Sequence, residues 1–481
     1  MIIIQNYING NMCPPDNGAY IDNVEPATGK VYSHIPNSNA QDIQLATDAA
    51  EKAFPIWSGM SNEERYKILN KIADLIERDL DKLAQAESID NGKPFWLAKN
   101  VDIPRASSNF RFFATSILHF SSESHEMVGN AINYTLRNPL GIVGCISPWN
   151  LPLYLFSWKI APALATGNCV IAKPSEVTPM TAYLLSEICI EAGLPPGVLN
   201  IVHGLGQNAG EAMVKHPKIK AISFTGGTAT GKKIASIAAP MFKKLSLELG
   251  GKNPNIIFDD CDYDLALKTS VLSSFSNQGQ ICLCGSRIFI QRNIYEKFRN
   301  DFVSKTKELK IGDPNEKGNR IGALVSEAHM EKVLEHIKVA KEEGGKILAG
   351  GERVIVQGRC EDGYFVSPTI IEGLDARCRT NTEEIFGPVV TLIPFDTEDE
   401  VIEYSNCVEY GLSCTIWSND INKVTRVSRK VQAGIVWVNC WLLRDLRTPF
   451  GGMKNSGVGR EGGLEALRFF TEPKNVCIKY L

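Results

Sequence analysis

The sequence lacks the features that place a protein in a membrane or on nucleic acid. No run of apolar residues approaches the roughly 20 needed to span a bilayer. Residues 1–6 have neither the basic region nor the sustained apolar core of a secretion signal. The 51 Lys and Arg residues nearly balance the 54 Asp and Glu residues, which gives a formal net charge of −3. We therefore expect a cytoplasmic protein with a small-molecule partner, and neither nucleic acid nor a membrane as a partner.

Metal and disulfide signals are also missing. None of the 13 cysteines forms a Cys-x-x-Cys pair, and the 7 histidines include no pair at i, i+4 spacing. An odd number of cysteines scattered through a long chain does not fit a disulfide framework or a zinc ribbon. We expect no metal, and we expect most cysteines to be reduced and buried.

The pattern of apolar segments indicates two α/β units. The chain has 481 residues and is 44% hydrophobic, so it is long enough for two or more domains. From Gly141 to Gly251, short apolar strands alternate with helical segments, which is typical of a twisted parallel sheet that binds a dinucleotide. A second α/β run follows from Pro254 to about Trp437, and a cleft is expected where the two meet. The predicted strands of the first unit are 142–146, 169–172, 199–202, 221–224 and 244–249, and the predicted helices are 154–164, 178–191, 209–215 and 231–237.

One cysteine lies where a reactive thiol could be formed. Cys282 follows the polar, Gly-containing segment 277–280, where the chain can turn sharply and bring backbone N–H groups towards the sulfur. A free thiol with a pKa of about 8.5 needs a positive dipole, a cation or a base to become a nucleophile. We expect the turn to favour the thiolate.

Two further side chains could assist such a thiol. Glu248 is the second-last residue of the alternating segment 245–249, so a strand that ends here could present its carboxylate as a base. Asn150 stands between Pro148 and Pro152, which stiffen the loop, and its NH2 could join the Cys282 N–H in holding an oxyanion. Any one such residue alone is more often structural, and only their combination favours catalysis.

Two glycine-rich loops compete for a phosphate-binding role. Residues 204–210 follow a strand and open a helix, as in a Rossmann fingerprint, but a lone match is weak. Residues 226–233 nearly match the phosphate loop of NTPases. Lys233, however, stands where a magnesium-binding Ser or Thr is required, which disfavours a kinase or ATPase.

Seven motifs lie along the chain at 148–150, 173–176, 224–227, 247–252, 279–282, 384–388 and 449–452. Their order and rough spacing resemble the NAD(P)-dependent aldehyde dehydrogenase superfamily across essentially all 481 residues. The resemblance implies an α/β fold with a Rossmann-type cofactor domain, an α/β catalytic domain and a β oligomerisation arm. It also implies a homodimer or homotetramer in which the final strand pairs with another subunit. The implied limits are 1–119 and 139–250 for the dinucleotide-binding domain, 251–450 for the catalytic domain, and 120–138 and 451–481 for the arm and C-terminal segment.

The resemblance also assigns roles in catalysis and cofactor binding. It makes Cys282 the nucleophile in preference to Cys284, Glu248 the base and Asn150 an oxyanion donor. It assigns the second glycine loop to the pyrophosphate, so that the first becomes a tight turn. A carboxylate at Glu176 would repel a 2′-phosphate, which favours NAD over NADP as the cofactor. The expected NAD-binding residues are Ile146, Ser147, Pro148, Trp149, Lys173, Ser175, Glu176, Phe224, Gly226, Gly227, Leu249, Glu384 and Phe386.

The segment 438–450 resembles the subgroup that oxidises 2-aminomuconic and 2-hydroxymuconic semialdehydes. Such a substrate carries a carboxylate, which an arginine fork matches bidentately. Arg444 fits the carboxylate-binding position best, and Arg111 resembles the second arginine of the clamp. Arg447 is a poorer candidate because Asp445 could satisfy it. The expected substrate-binding residues are Arg111, Arg444, Asn150, Trp158 and Phe450.

Three alternatives stay open. Arg111 could pack on the neighbouring rings or pair with a surface carboxylate. The enzyme could oxidise an uncharged aliphatic, aromatic or retinoid aldehyde, with the arginines making interdomain contacts. A structural dinucleotide-binding protein without catalysis is a third interpretation, and the intact Cys282, Glu248 and Asn150 argue against it.

Overall fold

The computed structural model describes residues 1–481, and it contains 25 β-strands and 16 α-helices. The strands are β1 (Ile2–Ile3), β2 (Asn6–Ile8), β3 (Asn11–Cys13), β4 (Tyr20–Glu25), β5 (Lys30–Pro36), β6 (Ser124–Met127), β7 (Ala131–Pro139), β8 (Ile142–Ile146), β9 (Cys169–Lys173), β10 (Leu199–Ile201), β11 (Ile219–Thr225), β12 (Lys244–Glu248), β13 (Pro254–Ile257), β14 (Arg287–Gln291), β15 (Lys346–Ala349), β16 (Arg353–Val354), β17 (Phe365–Val366), β18 (Thr369–Glu372), β19 (Val389–Phe395), β20 (Tyr410–Gly411), β21 (Ser413–Trp417), β22 (Ile435–Val438), β23 (Met453–Lys454), β24 (Gly457–Val458) and β25 (Thr471–Lys479).

The helices are α1 (Ala40–Gly59), α2 (Asn62–Arg78), α3 (Leu80–Asn91), α4 (Phe95–Leu97), α5 (Ile103–Ser116), α6 (Pro152–Ala165), α7 (Met180–Ala192), α8 (Glu211–Lys215), α9 (Thr228–Ala238), α10 (Tyr263–Phe275), α11 (Arg292–Lys307), α12 (Glu327–Glu342), α13 (Arg379–Thr382), α14 (Glu398–Asn406), α15 (Ile421–Lys430) and α16 (Gly463–Phe469).

The first unit is built on an eight-stranded sheet in the order β24-β12-β11-β8-β9-β10-β2-β3. Its central strands from β12 to β10 pair in parallel. Every residue of β8 and β9 is buried, as expected for strands covered by helices on both faces. The predicted alternation of strands and helices is confirmed, and most ends shift by no more than two residues. Helix α9 begins three residues earlier than predicted, and α8 begins two residues later because residues 206–210 form a π-helical turn before it.

A hairpin closes one edge of this sheet. Strands β2 and β3 pair antiparallel across Asn9 and Gly10, which have φ values of 54° and 78°. Two successive left-handed residues make the tight turn whose twist suits a two-residue hairpin.

The second unit is a seven-stranded sheet in the order β15-β18-β19-β14-β13-β21-β22. All its pairings are parallel except that of β15 with β18. The carboxyl end of β12, the amino end of β13 and the loop after α10 lie next to one another, since Gly251 and Asn253 both lie against the Cys282 carbonyl oxygen. The reactive segments predicted from the sequence therefore converge where the two units meet, as the site geometry below shows.

The third sheet has the strand order β25-β7-β6. The final strand, β25, pairs antiparallel with β7 of its own chain along all nine of its residues. Because β25 is an edge strand of this sheet, its pairing with another subunit stays a prediction. The C-terminal segment also contributes to the first unit, since β24 pairs with β12 and α16 places Ala466 and Leu467 in the main core. The domain limits given above otherwise remain predictions. No helix is both long enough and apolar enough to cross a bilayer.

Candidate active site

The loop that precedes Cys282 has an unusual backbone. Asn277, Gln278 and Gly279 are consecutive left-handed residues, with φ values of 50°, 56° and 71°. This conformation is uncommon for residues with a side chain. At Gly279 a β-carbon would also overlap the carbonyl oxygen of Gly387, so only glycine fits there. The sharp turn predicted before Cys282 is present.

Buried amide side chains hold this loop in place. Gln280 Nε2 donates to the Asn277 carbonyl, and its Oε1 accepts from the Val325 N–H. On the far side of the thiol, Asn253 Nδ2 donates to the carbonyl oxygens of Cys282 and Cys284 at 2.7 and 2.9 Å. Satisfied polar networks of this kind rigidify a loop, so the Cys282 backbone is fixed.

The two neighbouring cysteines differ in access. Cys282 is half-buried and lines a cavity of about 250 Å³. Cys284 is only 6% exposed and does not line that cavity. The Cys282 N–H donates to no carbonyl oxygen, so it is free to bind an oxyanion. The geometry favours Cys282 over Cys284 as the nucleophile.

The expectation that the turn favours the thiolate is wrong for the protein by itself. Burial raises the pKa of the Cys282 thiol well above its ordinary value, and the charges of Glu384 and Glu248 raise it further. The guanidinium of Arg444 acts in the opposite direction but does not offset them. The thiol is therefore protonated at neutral pH, and its activation needs a base.

Asn150 lies beside the cysteine loop, between β8 and α6. Its Nδ2 donates to the Gln280 carbonyl oxygen at 3.0 Å. Its own carbonyl oxygen accepts from Lys93 Nζ at 3.1 Å and from Asn277 Nδ2 at 3.0 Å. One amide hydrogen of Asn150 is left unused, so it can act with the Cys282 N–H as a second oxyanion donor.

Glu248 is the last residue of β12 and is 4% exposed, yet neither carboxylate oxygen has a hydrogen-bond partner. Burial raises its pKa well above the ordinary value, and the charge of Glu461 raises it further, against the opposing charges of Lys159 and Arg444. Gly451 leaves room for the carboxylate, because a β-carbon there would lie 2.6 Å from Oε1. An unbonded carboxyl with a raised pKa is suited to moving a proton near neutral pH.

All thirteen predicted cofactor residues line two adjoining cavities that share Pro148, Trp149, Gly226 and Gly227. Leu249, Glu384 and Phe386 lie in the cavity of about 250 Å³ beside Cys282. The other ten line a cavity of about 570 Å³: Ile146, Ser147, Pro148, Trp149, Lys173, Ser175, Glu176, Phe224, Gly226 and Gly227.

The larger cavity suits a pyrophosphate. Helix α9 begins directly after Gly227 and has no side-chain cap, which leaves its first N–H groups free to bind phosphate oxygens. The first glycine loop turns sharply at Gly204, with φ of 146°, as predicted. However, residues 205–207 of that loop also line this cavity, a role that the sequence interpretation did not assign to them.

A lysine–glutamate pair lies in the same cavity. Lys173 Nζ and Glu176 Oε2 are 3.0 Å apart. Burial acts to raise the pKa of Glu176, but the Lys173 charge and backbone N–H donors outweigh it and lower the pKa overall. The carboxylate is therefore ionised and can accept hydrogen bonds from ribose hydroxyls.

Glu384 and Phe386 shape the cavity on the side of Cys282. Glu384 Oε1 accepts from the Gly251 N–H at 2.9 Å, and burial raises the pKa of this carboxyl. Phe386 is left-handed, with φ of 63°, and its ring centroid lies 5.2 Å from that of Trp149. Together with the larger cavity, these residues fit the two halves of NAD.

Arg444 is held inside the substrate side of the site by aromatic residues. Its guanidinium carbon lies 4.3 Å from the ring centroid of Trp158 and 3.8 Å from that of Phe450. Its Nη1 donates to Tyr154 Oη at 3.2 Å, while Nη2 is buried without a partner. A buried donor without a partner costs free energy, which a ligand that accepts from it would recover.

Arg111 lies elsewhere, and its assignment to a substrate clamp is corrected. It forms ion pairs of 2.9 Å with Asp74 and Glu77 on α2, and donates to Asn70 Oδ1 at 3.0 Å. The structure therefore supports the alternative in which Arg111 pairs with surface carboxylates. Arg447 pairs with Asp445 as expected.

The arginine that sequence reasoning missed is Arg105, also on α5. Its guanidinium carbon lies 5.7 Å from the ring centroid of Tyr154, which binds Arg444, and it makes no ion pair. The position of Arg105 on the same face of the helix as Asn109 could have identified it from the sequence. Asn109 faces α6 and donates to the Tyr154 carbonyl, and Arg105 precedes it by one turn, whereas Arg111 points to another face.

Comparison with known proteins agrees with this geometry. The model of the aldehyde dehydrogenase family matches residues 13–476. A 2-aminomuconic semialdehyde dehydrogenase of Danio rerio is 52% identical, covering 100% of this chain and 99% of the relative. A 2-hydroxymuconic semialdehyde dehydrogenase of Pseudomonas sp. (strain CF600) is 44% identical, with 99% of each covered. The solved NAD+ complex of an aldehyde dehydrogenase from Bacillus cereus has a TM-score of 0.96 at 40% identity, covering 99% of this chain and 96% of that one.

The predicted fold is confirmed by these matches and by the two α/β units described above. The site also contains a reachable cysteine, a free oxyanion donor and an unbonded carboxyl beside a dinucleotide-shaped cavity. The chain therefore belongs to the aldehyde dehydrogenase family and is an oxidoreductase that acts on aldehydes.

Proposed function

We propose that this enzyme oxidises the aldehyde group of a muconic semialdehyde to the dicarboxylate, with NAD+ as hydride acceptor. The substrate is 2-aminomuconic or 2-hydroxymuconic 6-semialdehyde, the compounds for which the relatives above are named. The observation that carries the choice of a charged substrate is Arg444, whose buried Nη2 has no partner.

Arg444 suits a carboxylate at the far end of the substrate from the aldehyde. Its charge acts on both Cys282 and Glu248, so it lies within electrostatic reach of the reacting groups. Trp158 and Phe450 cover its faces and exclude water, which strengthens an ion pair with a ligand. The same two rings give an apolar wall for the conjugated carbon chain.

Arg105 replaces Arg111 as the second arginine of the proposed clamp. Tyr154 links the two arginines, since its ring lies beside Arg105 and its hydroxyl accepts from Arg444. Arg105 has no carboxylate partner within the chain, whereas Arg111 has two. Two guanidinium groups without a protein carboxylate favour an anionic ligand.

The first half of the reaction follows from the geometry of Cys282 and Asn150. The Cys282 N–H and Asn150 Nδ2 hold the aldehyde oxygen while the sulfur, after losing its proton to solvent in the cavity, attacks the carbonyl carbon. The tetrahedral adduct then collapses to a thioester as the electron pair of its C–H bond leaves as hydride. Accepting that hydride is the chemistry that NAD+ supplies when bound.

Glu248 is the base in the second half of the reaction. As a carboxylate it takes a proton from water, and the resulting hydroxide attacks the thioester carbon. The carbon–sulfur bond breaks, Cys282 leaves as a thiolate, and the carboxylic acid is released. The absence of hydrogen bonds to Glu248 leaves both of its oxygens available for the water.

The preference for NAD over NADP is supported by Glu176. Its carboxylate is ionised beside Lys173 in the larger cavity and can accept from both hydroxyls of an adenosine ribose. A 2′-phosphate in the same place would meet like charge at short range.

The uncharged-aldehyde alternative gives a direct test. NADH formation should be measured with 2-hydroxymuconic semialdehyde, with the methyl ester of its carboxylate, and with 2,4-hexadienal, which is similar in length but uncharged. We expect kcat/KM to fall by about 10- to 100-fold for both uncharged compounds, as for loss of a charge-assisted hydrogen bond. Equal values for all three would contradict the charged substrate and leave the aldehyde chemistry in place.

A homodimer or homotetramer is also proposed, with the third sheet as part of the interface. A sheet of three strands is weakly stable without a covering layer. This one leaves Leu136, Met127 and Ile478 substantially exposed. Light scattering should give about two or four times the chain mass of 53.0 kDa, and a single-chain mass would contradict the proposal.

A cytoplasmic location remains a proposal. Its support is that all 13 cysteines are free, as in reducing compartments. Recovery of the enzyme in the cytosolic fraction after cell fractionation would test it, and recovery in a secreted or organellar fraction would contradict it.

A further inference from the structure

A histidine that the reaction does not use forms part of the cavity wall beside Cys282. His329 lies in the first turn of α12, where its N–H is capped by Ser326 Oγ. Its Nε2 is 2.7 Å from the carbonyl oxygen of Phe386, a short hydrogen bond. Both residues line the cavity together with Trp149.

The hydrogen bond determines the tautomer of His329. A carbonyl oxygen can only accept, so Nε2 must carry the hydrogen. Burial lowers the pKa of His329 to about 4, against the opposing effect of the Phe386 carbonyl, so the ring is neutral at pH 7. His329 is therefore a fixed donor to one backbone carbonyl.

The carbonyl belongs to a residue with a strained backbone. Phe386 has φ of 63°, which a bulky side chain rarely adopts and which persists only when neighbours impose it. Its ring stands at 90° to Trp149 at 5.2 Å, and the His329 ring lies 5.1 Å from Trp149. The rings of Trp149, His329 and Phe386 thus pack against one another, and Phe386 is the left-handed residue.

We propose that His329 is a positioning residue that keeps Phe386 left-handed and thereby presets the wall on which the nicotinamide ring packs. This role rests on the proposed use of NAD. It matters for rate because hydride transfer needs the acceptor ring at a fixed position relative to the adduct on Cys282. Gly387, the next residue, also abuts Gly279 of the cysteine loop, so the same segment contacts both the cofactor wall and the nucleophile loop.

The test compares substitutions that keep or remove the donor. H329Q retains an amide N–H that can reach the carbonyl, whereas H329M fills similar space without a donor. H336M, on the same helix but outside the cavity, is the matched control. The readouts are NAD+ affinity from quenching of tryptophan fluorescence, and single-turnover NADH formation at 340 nm.

We expect H329M to weaken NAD+ binding several-fold and to slow single-turnover hydride transfer about tenfold. A tenfold effect is the size expected if Phe386 leaves the left-handed conformation, which is unfavourable for a residue with a side chain. H329Q should restore most of that loss, and H336M should bind NAD+ like the wild type. Equal losses in H329Q and H329M, or no loss in H329M, would overturn the proposal.

A double-mutant cycle tests whether His329 acts through Phe386. In F386G the backbone can remain left-handed without help, because glycine adopts that conformation freely. The effect of H329M on NAD+ affinity should therefore vanish in the F386G background. An undiminished effect there would overturn the positioning role. If wild-type enzyme fails to bind NAD+ at all, the proposed function fails as well, so the two failures are distinguishable.

Discussion

The two ends of the site differ in whether their buried polar groups have hydrogen-bond or ion-pair partners within the protein. At the thiol end, which comprises Cys282, Glu248 and Arg444, both Glu248 oxygens and Arg444 Nη2 are buried without partners. At the dinucleotide end, which comprises Lys173 and Glu176, the two charges are already paired at 3.0 Å. Buried groups without partners destabilise a fold, so they persist where substrate and reaction satisfy them.

This difference separates two kinds of substitution. At the thiol end, changes at Cys282 or Glu248 should reduce the rate of the chemical steps, because these two groups act as bonds form and break, whereas changes at Arg444 should weaken substrate binding. Changes at the dinucleotide end should alter cofactor affinity while leaving the chemistry intact.

The largest expected effect comes from Cys282→Ala. Loss of the sulfur removes the covalent intermediate, so we expect steady-state NADH formation to fall by about 10⁴-fold or more. Titration with NAD+ should show that cofactor binding is retained. The matched control is Cys284→Ala, which should remain active because Cys284 does not line the cavity. An active C282A together with an inactive C284A would show that the nucleophile has been misassigned.

Asn150→Ala should have the next largest effect. It removes one oxyanion donor, a loss that costs roughly 2.7–4 kcal/mol and lowers kcat about 10²- to 10³-fold. Circular dichroism should show that the fold is retained, because the Gln280 carbonyl still accepts from Asn277 Nδ2 when it loses Asn150 Nδ2. A kcat close to that of the wild type would argue against any role of Asn150 in the reaction.

Glu248→Gln should uncouple the two halves of the reaction. Hydride transfer does not need this residue as a base, so a burst of NADH near one equivalent per subunit should remain. Steady-state turnover should fall about 10²-fold or more as the thioester accumulates. Quenched-flow measurements check both phases. If the burst disappears and the first turnover becomes as slow as the steady state, Glu248 acts in the first step instead.

The same variant tests the raised pKa of Glu248. A carboxyl whose pKa is higher in the folded chain than in the unfolded chain stabilises the fold at low pH. That stability is lost as pH rises through the folded pKa. The melting temperature of E248Q relative to wild type should therefore rise from pH 5 to pH 9, by about 2 °C for each kcal/mol. A difference that is constant with pH would contradict the raised pKa.

The smallest effect is expected at the dinucleotide end. Glu176→Gln removes the charge that repels a 2′-phosphate, so the preference for NAD+ over NADP+ should narrow about fivefold, from roughly 1 kcal/mol of Coulomb energy. Saturating kcat with NAD+ should stay within about twofold of wild type. A large fall in kcat would show that the two ends of the site are not separable.

The sequence predicted most of the dinucleotide end because its residues lie in continuous motifs. The strand that presents Lys173 was located within one residue. The thiol end depends on contacts between distant segments, which a motif does not describe. The pKa of Cys282, for example, is set by burial and by charges from three other segments.

The arginines illustrate the limit most clearly. Arg111 and Arg105 lie on the same helix, and the family resemblance favoured Arg111 as the second arginine of the clamp. Only the packing of α5 against α6 shows that Arg105 faces Tyr154, whereas Arg111 faces carboxylates on α2. The pairing of β25 with β7 of its own chain was not predicted, because the resemblance implied only a pairing with another subunit.

The measurement that tests the account most directly is kcat/KM on 2-hydroxymuconic semialdehyde for Arg444→Met, Arg105→Met and Arg111→Met. Methionine keeps an apolar stem in each place, so only the charge and its hydrogen bonds are lost. We expect the first two variants to lose about 10- to 100-fold on this substrate and little on 2,4-hexadienal, with R111M close to wild type. Unchanged values in R444M and R105M, or a comparable loss in R111M, would contradict the proposed binding of the substrate carboxylate.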